Sequence, residues 1–558
     1  MITVNKNRLW RGVISRSTLY LISLTLMIPV LVMLIAGIGA STDLFSHLWQ
    51  TVLPDYIVNT LLLGFFVVLL SVIFGVISAA LIVHTNVKGK STLRWLLMLP
   101  LAMPAYLVAY LYTDLFDYAG PVQRALRTGF NWQSPDDYIF FDIRTLGGAS
   151  IIIALVLFPY VYMLTRTAFE QQDQNLLRAS RLLGLSAKQS FYKVALPLAK
   201  PAIAIAASLV LMETLADFAT VQYFAVNTLT TAIYDTWLGY GDLATANALA
   251  SILMLFIFFT LVAEQRARAG QAHQSNRINK NHQMIILSTA AQWFASSFCW
   301  LLAIAGFILP FILLIIMAWE YSSNEQFLAL VPTALNSIKI AVWTASLTTL
   351  LALGFTLFKR LTKDRLRNLP MQISGFGYAI PGTVLAMAIM STLAPIDYFI
   401  NDIANFFGFN KPGLLLSGSI FAIIFAYLVR FAAIANGTID SGIKQIPKSL
   451  DYAPASLGAG LGKTLTRVHL PLLKSSIWVA WLLVFVEAMK ELPAVLLLRP
   501  FNFETLSTQI YQLISNEMLE QGALGAIFIV LLGLFPIIWL NRSNSNSNTK
   551  QQSIKEHA

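Results

Sequence analysis

Charge is scarce in this 558-residue sequence. Asp, Glu, Lys and Arg make up only 12% of it, about half the share of roughly 25% found in soluble domains. A chain so poor in charge cannot present a fully hydrated surface, which excludes an ordinary soluble protein. Cysteine is nearly missing as well. Cys299 stands alone in an apolar stretch, so an internal disulfide is impossible and an inert packing role is expected. The six histidines (His47, His84, His273, His282, His469, His557) are scattered, mostly in loops, and form no recognisable closed metal site. There is no H-E-x-x-H, no G-x-S-x-G and no paired acid/base motif in a loop, which argues against a membrane enzyme. A phosphate-binding loop is approached and missed. Gly462-Lys463-Thr464 would need a glycine five positions earlier, where Leu457 stands, and Gly458 is one residue too close. The preceding SLDYAPA is polar and helix-like instead of a buried strand. The chain is therefore expected to be no enzyme and to have no nucleotide site of its own.

What fills the sequence is apolar, 57% of it. Runs near the bilayer-spanning length of about 20 residues recur from end to end. Twelve are read, at 19–40, 57–83, 95–116, 147–166, 201–223, 246–263, 294–318, 334–358, 371–394, 413–435, 477–498 and 523–540. The first is too long for a signal-peptide core and lacks a small-residue cleavage site, so it is expected to remain as a helix. The +11 net charge suggests nucleic acid until its distribution is examined. With the N-terminus inside, inside loops hold Lys88, Lys90 and Arg94, the stretch from Arg178 to Lys200, and those from Arg266 to Lys280, Lys359 to Arg367 and Lys444 to Lys474. Outside loops hold only Arg124, Arg127, Arg144, Lys411 and Arg499, five of 38 basic residues. That asymmetry is the positive-inside signature of a polytopic membrane protein. The basic excess sets orientation, and nucleic acid is excluded as a partner.

The chain is also a tandem repeat. Asn59-Thr60 and Asn336-Ser337 are 277 positions apart, as are Pro104 and Pro381. ASRLLGLSAKQSFYKVALPLAKPAI from Ala179 matches APASLGAGLGKTLTRVHLPLLKSSI from Ala453 at an offset of 274. Gly184 pairs with Gly458, Pro197 with Pro471, Lys200 with Lys474, Glu213 with Glu487 and Asp217 with Glu491. The fold expected is all-α, two tandem six-helix halves in the same orientation. The halves are 1–263, with a cytoplasmic loop at 169–200, and 292–541, with a loop at 436–475. A basic linker, 264–291, joins them, and an Asn/Ser-rich tail, 542–558, ends the chain inside. Segment 117–146 is expected outside. Ala179 and Ala453 are read as opening short amphipathic helices, with glycine permitting a sharp turn and Leu-Pro ending each segment as the next span begins.

Two loops of this form resemble the signature EAA-x3-G-x9-I-x-LP of the membrane subunits of ATP-binding-cassette importers. Glycine and Leu-Pro are kept (Gly184, Leu196, Pro197; Gly458, Leu470, Pro471). The acidic first position is replaced by Arg178 and Tyr452, and the small third position is Ser180 and Pro454. The resemblance implies a type I importer permease in a bacterial inner membrane, with both termini cytoplasmic. It further implies that the loops dock ATPase subunits, expected in two copies, and that this chain binds no cofactor while its partner uses ATP. On this reading Lys463 is a surface lysine. A basic loop resting on anionic lipid would account for one copy and accounts poorly for two with the same spacing.

Carboxylates also stand at membrane depth. Glu213 and Asp217 in the fifth run are four apart, hence read as sharing a helix face, and Glu487 and Glu491 repeat them in the eleventh. An intramembrane charge costs roughly 2.5–3.5 kcal/mol, so these groups line a pathway for a cation or polar solute, pair with Lys490, Arg430 or Lys339, or stand close to the wet end of the span. The stretches 215–250 and 489–511 resemble the fused permeases of ferric-iron importers, with thiamine permeases close in build. That implies ferric iron, which prefers oxygen ligands, delivered by an extracytoplasmic iron-binding protein. An ion-coupled secondary transporter is the competing class, and it leaves the two matched loops without a use.

Overall fold

The computed structural model describes residues 16–39, 42–271, 285–321, 323–362, 365–447, 449–456 and 461–556. Gly458 and much of the linker lie outside these residues. The described chain is helical, with a single isolated β-bridge and no strand. Among the described residues eleven helices are long and apolar enough to cross a membrane, and the number is twelve when one sharply bent helix pair is counted as a single span. In chain order, span 1 is Ser17–Ile38, span 2 Leu53–His84 and span 3 the pair Lys90–Ala102 and Ala105–Phe130, bent by 95°. Span 4 is Leu146–Glu170, span 5 Ala187–Ala216, span 6 Leu243–Arg266 and span 7 Thr289–Tyr321. Span 8 is Asn324–Leu361, span 9 Gly382–Phe406, span 10 Ile420–Lys444, span 11 Leu465–Lys490 and span 12 Leu519–Pro536. Eleven of the twelve expected runs are met by a span, and the third, 95–116, by the bent pair.

The chain folds into two compact units. One comprises Met1–Phe45, Ile233–Ser251 and Ala329–Gln509, the other Ser46–Ala232, Ile252–Leu328 and Ile510–Ala558. In the first unit, span 1 packs on spans 9 and 10, and span 10 on span 11. In the second, spans 2, 4 and 5 pack together, and span 7 lies against span 12. Between apolar helices in lipid, close approach replaces the hydrophobic drive, so small residues mark the tight contacts. Gly75 is one: a Cβ there would stand 2.5 Å from Val161 Cβ, so span 4 tolerates no side chain at that point of span 2.

The duplication is written into the backbone. Pro104 and Pro381 precede the helices that begin at Ala105 and Gly382, with φ/ψ of −59°/136° and −54°/146°. Proline cannot donate to a preceding turn, so both halves break at the same place. Neither this break nor a second matched one was expected. Span 5 stops at Ala216 and span 11 at Lys490, followed by Asp217 at −68°/127° and Glu491 at −64°/126°. Short helices, Ala219–Tyr223 and Pro493–Leu498, then replace the tails of the fifth and eleventh runs.

Candidate functional site

The first loop begins where span 4 ends. Asp173 caps the Gln174–Leu182 helix, its carboxylate accepting from the Asn175 amide at 2.9 Å. Ala179 therefore lies inside this helix and does not open it, because Asp173 is the stronger cap. Ala453 likewise lies inside its helix, Ser449–Ser456. The Gln174–Leu182 helix closes on Gly184, whose φ is +87°. The Gly184 N–H donates to Arg181 O at 3.0 Å and the Leu185 N–H to Ser180 O at 3.2 Å. This pair of bonds is a Schellman stop, which favours glycine at the left-handed position. Ser186 then caps Ala187–Ser190 in a capping box with Gln189. The Ser180 and Ser190 hydroxyls, 2.6 Å apart, tie the two short helices together. Beside the turn, Leu182 and Leu183 are 89% and 85% exposed. Two leucines held out on a rigid turn are suited to insertion into an apolar groove.

Leu196-Pro197 does not end the segment, contrary to expectation. Ala187–Ala216 runs as one helix, with a π-turn at Phe191–Ala195 in which the Leu196 N–H donates to Phe191 O. A proline ring crowds the carbonyl four residues back, and the wider turn makes room for it. Leu470-Pro471 follows a π-turn at Leu465–His469, and Leu309-Pro310 another at Ile304–Ile308. In the second loop, Arg360 Nε reaches the Asp451 carboxylate at 3.0 Å and His469 Nε2 lies 3.4 Å from it. Arg360 also donates to Ile446 O at 3.0 Å, so span 8 anchors the base of this loop. Gly462-Lys463-Thr464 belongs to a helical turn, Leu461–Thr464, and follows a helix, not a strand. Lys463 is exposed.

The four carboxylates divide into two kinds. Asp217 and Glu491 are past their helix ends, so neither shares a helical face with the residue four before it. The Asp217 carboxylate accepts from the Thr220 amide at 3.0 Å and its hydroxyl at 2.8 Å, and from the Val221 amide at 3.3 Å. Glu491 accepts from the Ala494 amide at 3.1 Å and pairs with Arg430 Nε at 3.3 Å, both side chains nearly buried. Arg430 also donates to Ile380 O at 3.2 Å, beside the Pro381 break. Glu213 and Glu487 remain within spans 5 and 11 and are partly exposed. Glu213 and Asp217 lie in one compact unit, and Glu487 and Glu491 in the other. Among the described residues, no three His, Cys, Asp or Glu side chains converge as metal ligands do.

Sequence reading missed a hydroxyl network around each break. Thr60 Oγ1 accepts the Leu229 amide at 2.9 Å, and Ser337 Oγ accepts the Leu506 amide at 2.8 Å. The Thr230 hydroxyl donates to Asp217 O at 2.9 Å, and the Ser507 hydroxyl to Glu491 O at 2.8 Å. The Thr228 and Thr505 amides each donate, at 2.9 Å, to the hydroxyls of Thr231 and Thr508. The signal was present in Thr228-Leu-Thr-Thr and Thr505-Leu-Ser-Thr, again 277 apart.

Comparison with known proteins agrees with this repeated geometry. The family model for the binding-protein-dependent transport system inner membrane component matches twice, at residues 71–269 and 363–546. The chain is 25% identical over 531 residues to the Fe(3+)-transport system permease protein FbpB 2 of Haemophilus influenzae, covering 94% of this chain and 96% of that protein. It is 24% identical over 511 residues to the ferric transport system permease protein FbpB of Actinobacillus pleuropneumoniae, covering 87% and 70%. The molybdenum transport system permease protein ModB of Escherichia coli is 28% identical over 238 residues, which are 93% of its length and 39% of this chain.

Proposed function

Because the chain belongs to the family of binding-protein-dependent transport system inner membrane components, we propose that it is the fused permease of an importer that carries ferric iron into a bacterial cytoplasm. The observation that carries this reading is the duplicated coupling loop, each copy followed by a π-turn and Leu-Pro. Two loops in one polypeptide suit a pair of ATPase subunits, and Leu182 and Leu183 beside Gly184 suit insertion into an ATPase groove. A helical turn welded to a 30-residue helix, Ala187–Ala216, is a lever that carries motion from the cytoplasmic face into the membrane.

Iron is supported by likeness to ferric permeases along nearly the whole chain, whereas the molybdenum relative matches one half's length. The ferric ion reaches the permease from an extracytoplasmic binding protein. Glu213 in one unit and Glu487 in the other are the candidate pathway carboxylates, while Asp217 and Glu491 hold the helix breaks of their own units. The protein sits in the inner membrane with both termini inside, as two halves, 1–263 and 292–541, joined by the linker 264–291. It binds no cofactor, and ATP is consumed by its partner. Purified alone it neither binds nor hydrolyses ATP, and Lys463→Ala leaves the nucleotide affinity of the assembled transporter unchanged. Saturable ATP binding by the isolated chain, lost in that variant, would overturn the assignment.

A further inference from the structure

The end of the linker is built onto the underside of the first coupling loop. The Ile285 N–H donates to His84 O at 2.7 Å, and Ile285 forms a parallel bridge with Thr85. The Leu287 N–H donates to Asn86 Oδ1 at 2.9 Å. Span 7 begins directly afterwards and adds two more ties: the Ser296 hydroxyl donates to Lys88 O at 3.1 Å, and Lys88 Nζ lies 4.4 Å over the Trp293 ring. So residues 84–88, the exit from span 2, are held at successive positions by 285–296.

His84 links this strap to the loop. Its carbonyl accepts the strap, and its ring meets Phe169 and Phe191 edge-on, with centroids 4.9 and 5.8 Å away. Phe191 opens the π-turn beneath Pro197. A small cavity of about 20 Å³, room for a single water, lies between them. Ile285 and His84 form one side, and Leu177, Arg178, Ser190 and Phe191 of the loop form the other. The loop therefore meets the seat of the strap through the buried His84 ring, and Ile285 faces it across this cavity.

We infer that residues 285–288 are a positioning strap. It fixes the seat of the first coupling loop and ties that loop's movement to span 7, the first helix of the second half. The linker of the fused permease then acts as a mechanical part, not a passive tether. This inference rests on the reading of the first loop as the ATPase dock, and its test separates the two.

The full transporter is reconstituted in liposomes with its ATPase and binding protein, and ferric uptake is measured per ATP hydrolysed. Ile285→Pro removes the N–H that bonds His84 O, and Ile285→Val retains both amide and wall. The proline variant is expected to hold the ATPase normally but to lose about fivefold in uptake per ATP, the scale of one lost hydrogen bond. The valine variant should behave as wild type. A strap that only supports the fold would lower uptake and hydrolysis in proportion and leave the ratio unchanged, which overturns the inference. Gly184→Val is run beside them. If it is defective while Ile285→Pro is normal, the strap alone is wrong; if it transports and docks normally, the loop reading fails first. Should the proline variant not assemble, wild-type hydrogen exchange decides. The Ile285 and Leu287 amides are expected to change their exchange together with the Phe191–Ala195 amides when a non-hydrolysable ATP analogue binds. Unchanged exchange at 285–287 alongside a change in the π-turn would refute the coupling.

Discussion

Gly184 offers a perturbation whose cost can be worked out from the backbone alone. At φ +87° it occupies the left-handed region, and nothing lies within 4 Å of where a Cβ would be placed. Packing therefore contributes nothing to a substitution, and conformational strain is the whole effect. That strain is about 1–2 kcal/mol for an ordinary side chain, and greatest for a β-branched one, for which positive φ is a true outlier. A cost of that size lowers the population of the correct turn by a factor of roughly 5–30. Asparagine, whose short polar side chain tolerates this region, should cost little. In nanodiscs, the affinity of the permease for its ATPase should rank wild type, Gly184→Asn, Gly184→Ala, Gly184→Val, with the last weaker by about 5–30-fold. Membrane insertion and melting temperature should not move, because the spans are untouched. Equal affinities for the asparagine and valine variants would refute the reasoning, since the φ requirement would then have no part in docking.

Three further outcomes follow from named contacts. Arg430→Met leaves the nearly buried Glu491 carboxylate without its cation and Glu491→Gln leaves Arg430 without its anion, a loss of about 3–5 kcal/mol in each case, so both should lower the melting temperature in detergent clearly; small shifts in both would contradict the pairing. Thr60→Ala and Ser337→Ala each orphan a buried amide, at about 1–3 kcal/mol, whereas Thr60→Ser should be silent in the same melts. In a Cys299→Ala background, a cysteine at exposed position 188 should be labelled by an impermeant reagent only after the cells are opened, and labelling of intact cells would invert the topology.

Much of the frame was legible because it depends on composition and local chemistry. Eleven apolar runs became spans and the third a bent pair, while Pro104 and Pro381, legible as repeat markers, turned out to stand at breaks. The breaks at Asp217 and Glu491 were not legible, since both lie in apolar runs that read as uninterrupted helix. Their carboxylates look like an i, i+4 pair with Glu213 and Glu487 until the helix is seen to stop. What stops it is tertiary: hydroxyls at Thr60 and Ser337, over a hundred residues away in sequence, hold the returning segment against each break. Leu-Pro misled for a related reason. Proline alone says that a normal helical turn cannot pass, and only the structure reveals a π-turn that lets it through. Of the three cations named as partners for the carboxylates, the geometry selects Arg430 for Glu491.

The central claim is ATP-driven ferric import through this chain. Its most direct test is uptake of radiolabelled ferric iron into liposomes holding the permease with its ATPase, with loaded binding protein outside and ATP inside. Accumulation should require all three proteins and hydrolysable ATP, and it should not be competed by thiamine or molybdate. Iron entry without the ATPase, or ATP-driven uptake of thiamine or molybdate in place of iron, would contradict it.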